Sequence, residues 1–86
     1  MSNAARQELE NDLKAQISAS ELECEAQTRL VAKSRLKVAM WSELGDALET
    51  AHAQQELYQA QSTLQTATDK IAKYKQALQI LATLPD

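Results

Sequence analysis

A chain of 86 residues with a formal charge of −3, a pI near 5.1 and 44% apolar residues, mainly Ala, Leu, Ile and Val without any Phe, holds one domain. That balance disfavours acidic substrates and lacks the concentrated basic patch needed to displace counterions from nucleic acid, and no apolar run is long enough for membrane insertion. So short a chain buries a modest share of its surface alone, which makes association with a partner the starting expectation. One Gly and one Pro leave almost no turn punctuation among the Ala, Leu, Gln, Glu and Lys that favour helix, so the helices are expected to be few and long.

Residues Ser2 to Ala4 match a cloning remnant as well as a natural start and carry no functional weight. Helix one is predicted from about residue 4 to 44, with Glu8, Glu10 and Asp12 early and Arg35 and Lys37 late, the order that suits the helix dipole. Ile17, Cys24, Val31 and Val38 recur every seven residues, accompanied by Leu13, Ser20, Gln27, Ser34 and Trp41. Ser20 and Glu23 have capping-box spacing, so Ser18 to Ser20 is a weak point that would allow a short separate N-terminal helix.

The lone glycine, Gly45, is followed by Asp46, with Glu49 three residues on, a helix stop and then a start. Helix two is predicted over about 47–83 and is closed by Pro85. Its heptads are Leu57, Leu64, Ile71 and Leu78, with Ala53, Ala60, Ala67, Tyr74 and Leu81 as the second series, and Lys70, Lys73 and Lys75 lie late. A tight turn at 45–46 brings residues whose numbers sum to 91 to one level. Small then meets large: Val31 with Ala60, Ser34 with Leu57, Cys24 with Ala67, Ser20 with Ile71, Gln27 with Leu64 and Val38 with Ala53, while Ile17 with Tyr74 and Leu13 with Leu78 fill the open end. Glu23 falls near Lys70 and Lys37 near Glu56, which favours this register. The expected fold is all-α, one long antiparallel two-helix coiled-coil hairpin spanning residues 1–86; the competing arrangement is one unbroken helix paired in parallel with another copy.

Two helices make one seam, yet helix one has apolar residues left over on its outer side: Ala15, Ala19, Leu22, Ala26, Leu36 and Met40, flanked by Leu30 and Leu44. Such a stripe implies a second protein surface, either another copy in a four-helix bundle or a different partner, unless a folded-back N-terminal segment covers it. Its burial at ~25 cal/mol per Å² would contribute roughly several kcal/mol, comparable with the stability of a small domain. Trp41, beside Met40, is either a partner anchor or a plug for the hairpin end. The candidate partner-binding residues are Leu22, Ala26, Leu30, Leu36, Met40, Trp41 and Leu44.

No residue cluster invites catalysis, a cofactor or a metal. His52 has no other His or Cys at ligand spacing and reads as a solvated surface residue. Cys24 reads as a small buried hydrophobe, and alone it cannot form an internal disulfide, which fits a reducing compartment. Glu21, Glu23 and Glu25 read as solvating charges, no glycine-rich loop is present to hold phosphate, and a hairpin offers no pocket. With no charged-then-apolar leader, the cytoplasm is the expected location.

Leu9, Glu10 and Leu13 form a Leu-Glu-x-x-Leu element, Gly45, Asp46 and Ala47 form the turn, and Tyr58 and Gln59 lie in helix two. In these features the chain resembles the YscE-type small co-chaperones of bacterial type III secretion needle subunits, although helix two is about three turns longer here. The resemblance implies a cytoplasmic protein that joins a tetratricopeptide-like chaperone to keep a polymerising needle subunit soluble until export. The expected function is therefore that of a non-enzymatic chaperone, co-chaperone or adaptor for a helical partner. The alternative is a structural protein that forms a homodimer as a four-helix bundle.

Overall fold

The heptad spacing and the single glycine together produce a hairpin. The computed structural model describes residues 2–85, and in it the chain forms α1 (Ser2–Leu44) and α2 (Ala47–Thr83), packed side by side with opposite directions in a rod of 65 × 14 × 13 Å. No strand occurs among the described residues.

The reversal is made by backbone chemistry that only glycine accepts cheaply. Gly45 has φ +81°, the left-handed conformation that ends a helix, and its N–H donates to the Ser42 carbonyl at 3.1 Å. The Asp46 N–H donates to the Trp41 carbonyl at 3.0 Å, which completes a Schellman motif. Asp46 then starts α2: its side chain accepts from the Glu49 N–H at 3.0 Å and its carbonyl from the Thr50 N–H at 3.0 Å. The expected capping box is thus closed in one direction, because the Asp46 N–H that would complete it already belongs to the end of α1. At the far end, Leu84 adopts the extended φ −71° and ψ 137° that the following Pro85 favours, and α2 stops at Thr83.

The seam follows the two heptad series. The buried residues among those described are Ile17, Ser20, Val31 and Ser34 of α1 and Ala53, Ala60 and Ala67 of α2, all on the seam. Cys24, Gln27, Val38 and Trp41, with Leu57, Leu64, Ile71, Tyr74, Leu78 and Leu81, are half-buried, as expected of a core only one seam deep. The register is confirmed by the flanks. Lys37 Nζ reaches Glu56 Oε2 at 3.1 Å, and Cys24 Sγ lies 3.8 Å from Thr68 Oγ1, in pairs whose numbers sum to 93 and 92. Glu23 and Lys70 border one shallow groove without pairing; the Glu23 carboxylate accepts instead from the Gln27 amide at 3.3 Å.

Three expectations need correction. The weak point at Ser18 to Ser20 does not divide α1, because Ser20 turns into the seam at 7% exposure and the helix on either side of it is packed. A folded-back N-terminal segment is thereby excluded as the cover of the outer stripe. Cys24 is half-buried, since the seam is open along its flank where Thr68 approaches. The dipole argument also loses most of its weight. No acidic residue occupies the first turn of α1 and no basic residue the last turn of either helix, while the effect fades within one turn.

Candidate protein-binding face

In a heptad-packed hairpin, the residues half a turn from the seam form a second line of neighbours pointing away from the partner helix. On α1 this line contains Ala15, Ala19, Leu22 and Ala26 and then Leu36 and Met40, all exposed. Leu22 is 67% exposed, Leu36 73% and Met40 53%. Leu30 at 37% and Leu44 at 70% stand to one side of it, toward the groove between the helices. The structure therefore brings six of the seven candidate residues onto one side of one helix.

It does not bring them into one continuous patch. Arg29 and Lys33 fall on the same line, between Ala26 and Leu36, and both are exposed. The face consists of two apolar segments, Leu22 with Ala26 and Leu36 with Met40, separated by two cations. From Leu22 to Leu36 the distance along the axis is about 21 Å at ~1.5 Å per residue.

Trp41 is the exception among the candidates. It lies on the inner series, half-buried, and its carbonyl is held by the turn, so it closes the hairpin end and does not project from the outer face.

The outer line of α2 is different in kind. His52, Gln55, Gln59, Ser62 and Thr66 are exposed in succession, and this side chain chemistry needs only water. Leu48 at 66% exposure and Ile80 at 58% stand at the two ends of this line, with only polar residues on it between them, and Tyr58 at 73% lies beside it. None of these, nor Leu9 and Leu84, is among the candidate residues, although Leu9 stands three heptads before Leu30 on the same flank of α1.

One polar residue escaped the sequence reading altogether. The guanidinium of Arg6, on the inner series of α1, donates to the carbonyls of Leu81 and Leu84, the orphan acceptors at the end of α2. A cation thus meets the negative end of the α2 dipole, supplied across the seam from the other helix. The signal available in sequence was its position seven residues before Leu13 on the heptad series.

The grooves along the seam are open and shallow, lined for example by Gln16, Ser20, Glu23, Thr63 and Lys70. Among the described residues, no three His, Cys, Asp or Glu side chains are grouped so as to hold a metal ion, and no helix is long and apolar enough to cross a membrane. Comparison with known proteins brought no match: no family model fits the sequence, and no curated protein or solved structure aligns with it.

Proposed function

We propose that this hairpin is a non-enzymatic protein-binding module, a chaperone, co-chaperone or adaptor whose outer α1 face covers a helical partner. The observation that carries this reading is the exposure of Leu22, Leu36, Met40 and Leu44 on a helix whose inner face is already used. Soluble proteins seldom leave such a periodic apolar face to water, and an amphipathic helix laid on it would bury both sets of side chains. The resemblance to YscE-type co-chaperones suggests a specific use in the cytoplasm: with a tetratricopeptide-like partner, the module would keep a polymerising needle subunit soluble. Covering the subunit's apolar face removes free monomer from polymerisation by mass action.

The test is co-expression of the chain with a polymerising needle subunit, scored as the soluble fraction of that subunit. The doubly substituted Leu22→Glu, Met40→Glu chain should lose this protection while keeping its helicity by circular dichroism, since both side chains are exposed. Equal protection by both chains would overturn the assignment of the face. The second reading, self-association through the same face, is favoured by the charges on that line, Glu8 and Asp12 toward its start and Arg29 and Lys33 toward its end.

A further inference from the structure

Antiparallel coiled coils pair a residue of one heptad series with one of the other, so that paired numbers have a constant sum, as the seam of this hairpin does. The outer face of α1 has the same two-series construction, and reading it against itself in reverse gives a register in which every position from Ala5 to Leu36 is matched. When numbers sum to 41, Asp12 faces Arg29 and Glu8 faces Lys33. In the same register Ala15 faces Ala26, Ala19 faces Leu22 and Ala5 faces Leu36. Opposite charges meet in both charged pairs, and each apolar pair contains at least one alanine, so the two helices can approach closely.

We propose that the occupant of this face is a second copy of the chain, docked antiparallel with its α1 in that register to make a four-helix dimer. The proposal rests on the reading of the face as a protein contact and takes the second of its two forms, self-association, since a face covered by a second copy is closed to a different helical partner. A two-fold axis between the levels of Ser20 and Glu21 repeats each pair, which gives four intermolecular ion pairs and a self-complementary surface, as an isologous dimer requires. The contact would run from Ala5 to Leu36, about 48 Å of helix at ~1.5 Å per residue, long enough for an interface of standard size.

The single hairpin leaves these charges in an unfavourable arrangement that the dimer relieves. Glu8 and Asp12 are like charges four residues apart on one helix, and so are Arg29 and Lys33, a spacing that disfavours the helix. All four are exposed, and the ion pairs among the described residues, Lys14 with Glu10 and Lys37 with Glu56, use none of them. In the dimer each like-charged pair sits opposite a pair of the other sign. The outer face of α2 has no such order, so the hairpin has one self-complementary side.

Sedimentation equilibrium on the full chain tests this. The chain should be dimeric at micromolar concentration, and Arg29→Asp should weaken the dimer at least tenfold by setting Asp against Asp12. Adding Asp12→Arg should restore it, because the charges are then exchanged and opposite again. A second measurement fixes the register. In a Cys24→Ala background, Ala15→Cys with Ala26→Cys should oxidise to an interchain disulfide. Within one chain these positions are about 16 Å apart along the axis, far beyond the roughly 4.4–6.8 Å between Cα atoms that a disulfide spans. A monomer at 100-fold higher concentration, a dimer indifferent to Arg29→Asp, or a loss that Asp12→Arg does not rescue would each overturn the proposal. A monomer would leave the protein-binding reading to stand on the solubility test with Leu22→Glu and Met40→Glu.

Discussion

Along the middle of the hairpin, Ala53, Ala60 and Ala67 sit at 2–4% exposure against α1, whereas Leu13, Tyr74, Leu78 and Leu81 near the open end stay half-exposed despite their size. The middle is held by close approach: the side chains are too small to keep the backbones apart, and dispersion contacts are gained along the whole length. The open end cannot close in this way, because large residues face each other and no loop joins the helices there. It is held instead by bulk and by Arg6, whose guanidinium ties the start of α1 to the last carbonyls of α2. A long seam thus needs small residues where alignment is already fixed by neighbours, and larger or polar fastenings where the chain ends leave it free to fray.

The sharpest way to break this difference is to put bulk into the middle. Ala60→Leu, at a site 2% exposed opposite Val31, should destabilise the hairpin by about 2 kcal/mol through overpacking, read as a lower urea midpoint by circular dichroism. The turn comes next. A methyl group at Gly45 would meet nothing within 4 Å, so Gly45→Ala carries only the backbone strain of φ +81° and should cost roughly 1–2 kcal/mol in the same measurement.

Ser34→Ala probes the middle in the opposite direction. Ser34 is fully buried and its hydroxyl has no hydrogen-bond partner, so removing the oxygen should raise stability by about 1 kcal/mol; an unchanged or lower urea midpoint would count against the tight seam. The smallest global effect is expected from Arg6→Gln, under about 1 kcal/mol because the site is partly solvated. Its signature is local: amide exchange should quicken in the last turns of α2 while the amides around Ala60 stay protected.

Much of this organisation was legible in the chain before any coordinates. The heptads marked every buried position, and Gly45 with Asp46 fixed both the turn and, through it, the register that Lys37 and Glu56 confirm. The outer stripe was legible too, as an apolar remainder after the seam was subtracted. Its interruption by Arg29 and Lys33 was equally present in the sequence, but it is seen only when every residue on the outer line is counted along with the apolar ones. Trp41 was ambiguous because a residue beside Met40 differs from it by about 100° around the helix, which is enough to move it from the outer face to the seam.

What the sequence by itself determined is periodic or local: helix from composition and spacing, reversal from one glycine, and the facing of small against large from arithmetic on residue numbers. Tertiary structure decided what depends on contacts between distant parts of the chain. It kept α1 continuous through Ser18 to Ser20, because packing on α2 outweighs a weak local capping preference. It also gave Arg6 its role, since no local rule pairs a side chain with carbonyls 75 residues away until the helices lie side by side. Propensity acts over a few residues, and so it can write the elements and the turn, but the closing of the open end required both arms to be in place.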